Sequence, residues 1–198
     1  KIFLNGKDIT KQSVIKRSKY ISRVFQDPKL GTAVRLTVEE NLALAMKRGN
    51  RRGFDLAVKA KNRPYFKEQL ATLNLGLEDR LNTEIGLLSG GQRQAITLLM
   101  ATLQRPDLIL LDEHSAALDP KTSLTVMNLT EQLIHEHHLT AFMVTHNMED
   151  AIAYGNRLIM LHQGQIVVGL DEAEKKHLTV PQLMELFQKN SASPKPPY

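Results

Sequence analysis

Residues 88–113 read LSGGQRQAITLLMATLQRPDLILLDE, and the order of features in this stretch governs the fold. A serine and two glycines stand three residues before the apolar run AITLLMATL, and the stretch predicts a buried helix over 92–103. Glycine opens a helix poorly unless something must approach its backbone closely. Beyond Pro106, the unbroken apolar run at 108–111 predicts a short strand buried on both faces of a parallel sheet. Asp112 and Glu113 then fall at the carboxyl end of that strand, the edge at which α/β sheets bind ligands.

Outward from this core, strand and helix patterns alternate. KYISRVF at 19–25 predicts a strand that ends in a Gln-Asp-Pro turn at 26–28. From 37 to 79 the pattern is helical but broken: ENLALAM, a Gly- and Arg-rich interruption, then PYFKEQLATLNL, together a small helical lobe. Asp119 and Pro120 are N-cap and first-turn types for the next helix, and TAFMVT at 140–145 predicts another strand. A short helix over 148–154 has Gly155 placed to end it, and RLIML and QIVVG flank 162–164 as a hairpin. Pro181 opens a last amphipathic helix, and SASPKPPY at 191–198 reads as a loose tail. The alternation indicates a mostly parallel sheet covered by helices.

Composition narrows the class. A chain of 198 residues holds one ordinary domain, or a domain with a small appended lobe. Lys plus Arg exceeds Asp plus Glu by 26 to 21, which suits an anionic partner but is too small an excess to argue nucleic acid. The absence of cysteine excludes disulfides and thiolate metal sites and fits a cytosolic address. No apolar run approaches the length of about 20 residues that crosses a bilayer. The first residue is Lys1, with neither an initiator methionine nor a signal peptide, so the expectation is that an N-terminal portion is missing.

The chemistry gathers at strand ends. Of two adjacent carboxylates after a buried strand, Asp112 can hold Mg²⁺ through hard oxygen while Glu113 orients or deprotonates an attacking water. Solvated charges capping a strand are the bland alternative. His146, after AFMVT, could donate to charge developing on a phosphate, or simply stand beside a helix N-cap. Gln26 could orient a water or a metal ligand through its amide, or be a turn residue. Ser89, Gly90 and Gly91 precede a helix whose first N–H groups lack partners, so a phosphate could approach them, and Ser89 adds a hydroxyl donor. An ordinary glycine-bearing N-cap is the equal alternative.

Together these residues resemble the ATP-binding subunit of an ABC transporter. The match comprises VFQDP at 24–28, LSGGQ at 88–92, LILLDE at 108–113, SAALD at 115–119 and VTHN at 144–147, in the family's order and spacing. The resemblance implies a P-loop NTPase-like α/β core, a mostly parallel sheet and a helical subdomain. It implies ATP and Mg²⁺ as ligands, with Asp112 in the Walker B magnesium role beside Gln26 of the Q-loop. Glu113 takes the catalytic carboxylate role and His146 that of the switch histidine. Ser89, Gly90, Gly91 and Gln92 act as the signature that meets ATP held by a partner copy, and Asp119 as the loop that communicates across the dimer. The implied division is 1–36 for the core through the Q-loop, 37–87 for the helical subdomain, and 88–170 for the signature, Walker B and switch portion. A C-terminal helix at 171–190 and a tail at 191–198 follow. GTAVRLTVEENLALA and VTHNMEDAIAYGNRLIM are similar to a bacterial importer branch, which points to uptake of an amino-acid-like solute. Implied partners are a second copy, membrane-spanning subunits and an extracytoplasmic solute-binding protein, with no nucleic acid. The implied location is cytoplasmic, on the inner face of the membrane.

Two features depart from the family pattern. His114 stands where most members have proline, and no G-x-x-x-x-G-K-[S/T] occurs among the 198 residues. IFLNGKDIT resembles the strand and turn that follow the phosphate loop, so that loop is expected before residue 1, and these residues alone are expected to be inactive. Rival readings are a non-transport ABC ATPase acting on nucleic acid or ribosomes, which would carry tandem cassettes or a long coiled coil, and a noncatalytic cassette fragment. KRGNRR at 47–52 lacks interleaved aromatics and reads as a solvated lobe surface, and His135, His137 and His138 as an exposed helix end.

Overall fold

The computed structural model describes residues 1–50 and 58–191, so Arg51 and Arg52 of the basic run and nearly all of the C-terminal tail lie outside it. The chain forms two compact units, Lys1–Val144 and Thr145–Tyr198.

The first unit opens with a hairpin of β1 (Phe3–Leu4) and β2 (Lys7–Asp8), turned by Asn5 and Gly6 at φ 49° and 75°. Asn-Gly is the dipeptide best suited to two consecutive left-handed residues. After α1 (Val14–Arg17) comes β3 (Ile21–Val24). It pairs in parallel with β4 (Leu108–Asp112), which pairs in parallel with β5 (Ala141–Val144), giving the order β3-β4-β5. Of the strand expected to be buried on both faces, Ile109 and Leu111 are sealed but Leu108 and Leu110 remain half-buried. The sealed pair joins Val24, Ile96, Leu99, Val126 and Leu129 in one core, so helices close the face of the sheet that Ile109 and Leu111 present.

Helix α2 (Val38–Met46) begins at Thr37, whose hydroxyl accepts from Glu40 N while the Glu40 carboxylate accepts from Thr37 N. This reciprocal cap satisfies two orphan N–H groups. Helix α3 (Arg63–Ala71) follows, and Leu42, Phe66, Leu70, Leu77 and Ile85 are fully buried within the helical lobe. Arg48 of the basic run at 47–52, and Arg63 beyond it, are structural. Arg48 donates to Ala101 O at 3.0 Å and to Gln104 O, closing the far end of the signature helix, and Arg63 pairs with the buried Glu39 at 2.8 Å. Helices α4 (Gly90–Thr102) and α5 (Pro120–Glu136) pack against each other, and α4 also packs on β3.

In the second unit, α6 (Met148–Ala153) precedes the hairpin of β6 (Leu158–His162) and β7 (Gln165–Leu170). Gln163 and Gly164 turn this hairpin at φ 48° and 78°. Helix α7 (Glu172–Lys175) leads to α8 (Val180–Ser191), which lies on β7 and α6 with Leu183 buried and Phe187 edge-on to His162 at 5.5 Å. Among the described residues, no helix is long and apolar enough to cross a membrane.

Candidate functional site

The end of β4 carries the first cluster. Glu113 adopts φ 45°, and its N–H donates to Val144 O at 2.9 Å, prolonging the β4–β5 ladder by one residue. A left-handed glutamate costs about 1 kcal/mol or more, and such residues concentrate where geometry serves function. Next to it, His114 is 2% exposed, and its Nε2 lies 2.9 Å from Thr130 Oγ1. Thr130 spends its only hydroxyl hydrogen on Val126 O at 2.7 Å, so the imidazole Nε2 must be the donor. Burial pushes the His114 pKa down to about 4, keeping the ring neutral. His114 is therefore a buried peg that ties the turn after β4 to α5.

Asp112 Oδ2 lies 2.5 Å from the Arg23 guanidinium of the neighbouring strand, and Arg23 stacks over Phe25 at 4.6 Å. Both partners are about half-exposed, so the pair orients the carboxylate more than it stabilises the fold. Gln26, exposed, lies two residues beyond the end of β3, whose last residue, Val24, pairs with Leu111 of β4. Beneath it, the fully buried Gln94 of α4 donates from Nε2 to Phe25 O at 3.3 Å, and its Oε1 meets no donor among the described residues.

A second cluster joins the signature to Asp119. Ser89 caps α4: its hydroxyl accepts from Gln92 N at 3.2 Å, and Gln92 Oε1 accepts from Ser89 N at 3.2 Å. Accepting leaves the hydroxyl hydrogen of Ser89 free to be given elsewhere. A Cβ on Gly91 would sit 2.2 Å from Thr122 Cγ2, and one on Gly90 would sit 3.3 Å from Leu118 Cδ2. The close visitor to these glycines within the chain is thus the opening turn of α5. Asp119 caps that turn by accepting from Thr122 N at 3.1 Å, and hydrogen bonds from Thr122 hold its carboxyl below the usual range.

His146 belongs to the second unit, two residues beyond β5. The backbone on either side of it is held: Asn147 N donates to Thr145 Oγ1 at 3.0 Å, and Asn147 Oδ1 accepts from Glu149 N at 2.8 Å and Asp150 N at 3.2 Å. Burial, then the Glu149 charge, raise the Asp150 pKa, and His146 partly offsets them.

Among the described residues, no group of three or more His, Cys, Asp or Glu side chains could hold a metal, and the His135–His138 region forms none. Asp112 nonetheless fits Mg²⁺, which takes one or two carboxylates and completes its shell with phosphates and water. Arg23 and Gln94 were not singled out from the sequence. A glutamine inside AITLLMATL's helix and an arginine two residues before Phe25 were the available signals, but their partners lie 69 and 89 positions away.

A helix-covered parallel sheet with adjacent carboxylates at the carboxyl end of a strand is the pattern of a ligand-binding α/β fold. The ABC transporter family model matches residues 1–116. The chain belongs to that family, as an ATP-binding subunit with the family's ATPase fold. It is 43% identical to the tyrosine transport ATP-binding protein of Clostridioides difficile (strain R20291) over 187 residues, 94% of this chain and 74% of that one. It is 34% identical to the phosphonates import ATP-binding protein PhnC of Alcaligenes faecalis, over 84% of this chain and 61% of the relative. The dimeric, post-hydrolysis structure of the ATP-binding cassette MJ0796 with ADP and Pi superposes with a TM-score of 0.69 at 27% identity, covering 86% of this chain and 72% of that one.

Proposed function

We propose that the intact protein hydrolyses ATP to drive uptake of an amino-acid-like solute. It works as a homodimer docked on membrane-spanning subunits at the inner face of the cell membrane, with an extracytoplasmic solute-binding protein in the same system. The observation that carries this reading is the 43% identity, over nearly the whole chain, to a tyrosine transport ATP-binding protein.

The residue roles follow from chemistry. Glu113 orients the attacking water and takes its proton, and His146 donates to charge developing on the γ-phosphate. Asp112 would hold Mg²⁺ with Gln26 beside it, and the ion when bound supplies neutralisation of phosphate charge. Ser89, Gly90, Gly91 and Gln92 present hydroxyl and N–H donors, at the positive end of α4, to ATP held by the other copy. Asp119 carries the state of one site to the other. In this scheme 37–87 is the lobe that, with Gln26, meets the membrane subunits, while 1–36 and 88–170 form the core and 171–190 the C-terminal helix. The 198 residues contain no phosphate-loop motif, so alone they supply the signature half of a site.

Purification of the intact protein under native conditions tests the reading. A polytopic membrane protein should accompany it, and ATP turnover by the complex should rise with a tyrosine-like solute. Recovery with ribosomes or nucleic acid would contradict the transport role, and Glu113-dependent turnover by the 198 residues alone would contradict the half-site.

A further inference from the structure

We propose that Lys175 is a positioning residue for His146, acting through helix α6. Lysine is almost never fully buried unless its charge is matched, yet Lys175 is only 4% exposed. Its Nζ donates to Ala151 O at 3.0 Å, to Gly155 O at 2.8 Å and to Tyr154 O. An ammonium has three donors, and all three go to carbonyls at the end of one short helix. The last carbonyls of a helix have no partner within it and carry the negative end of its dipole, so a cation there is both a cap and a counter-charge.

The length of α6 turns this cap into a lever. The helix spans 6 residues, about 9 Å from end to end, and is too short to persist on its own. Its N-terminal end is set by Thr145 and Asn147, which flank His146, and its C-terminal end by Lys175. Lys175 is itself anchored, because Asp171 and Glu174 cap α7 reciprocally at 2.9 Å and α7 packs on β7. The backbone that carries His146 is thereby tied, through α6, to the β6–β7 hairpin. The claim rests on the reading of His146 as the group that meets the γ-phosphate.

The test uses the intact protein. Lys175→Met keeps the reach of the side chain and removes its charge and donors. It should lower kcat about tenfold or more while leaving KM for ATP within about twofold, the signature of a misplaced catalytic group. In the ¹³C–¹H spectrum of histidine-labelled protein, the His146 Cε1–Hε1 resonance, assigned by its loss in His146→Ala, should shift and broaden. The resonances of His135, His137 and His138 should stay. If Lys175→Met does not fold, Lys175→Gln, neutral and shorter but still a donor, should show the same two effects. An unchanged kcat in a folded variant, or a fall in kcat with an unmoved His146 resonance, overturns the proposal. Full turnover by His146→Ala would instead refute the role of His146, and the resonance would still report the tether.

Discussion

At the scale of single residues, His114 links chemistry to stability. The ring is desolvated, hydrogen-bonded to Thr130 as a neutral donor, and placed directly after the left-handed Glu113. Its folded-state pKa, about 4, lies below the ordinary value of 6.5, so between those values the unfolded chain binds the proton and the folded chain does not. Stability therefore falls as pH drops through that window, by about 3 kcal/mol in all from this group, and gains nothing from it above pH 6.5. Urea unfolding at pH 7, 5.5 and 4.5 should show this decline in the native sequence. It should be flatter in His114→Gln, where an uncharged amide can still donate to Thr130. Equal slopes in the two proteins would mean that His114 does not carry the dependence.

Among the secondary elements, the signature helix shows what was legible in the sequence and what was not. Its apolar run predicted a helix over 92–103, and the observed element begins two residues earlier because Ser89 and Gln92 cap each other. The N-cap at Asp119, the turn at 162–164 and the break at Gly155 were equally readable, since each depends on residue types a few positions apart. The partners of Arg23, Gln94, Arg48 and Lys175 were not, because those contacts join positions far apart in the chain that only tertiary register brings together. In sequence the glycines offer room for a phosphate, and the structure adds a prior demand: α5 leaves no space for a methyl group at Gly91. Gly91→Ala should destabilise the fold by about 1–3 kcal/mol in urea titration, and Thr122→Ser, which removes the clashing Cγ2, should restore most of that loss. A Gly91→Ala chain as stable as the parent would show that the helices separate freely and that the glycine serves ligand approach alone.

For the molecule as a whole, the carboxylates stand in one compact unit and His146 opens the other, while the signature faces the turn that holds Asp119. On the proposed reading these pieces act across two copies: one supplies the signature, the other the carboxylates and the histidine. Such a division predicts that chemistry can be stopped without stopping assembly. The most direct measurement is ATP turnover and ATP-dependent dimerisation of the intact protein carrying Glu113→Gln, which keeps the size of the side chain but cannot take a proton. Turnover should be lost while ATP-bound dimers accumulate. Full turnover in that variant, or loss of turnover with no ATP-dependent dimer, would contradict the assignment of Glu113 and the shared site.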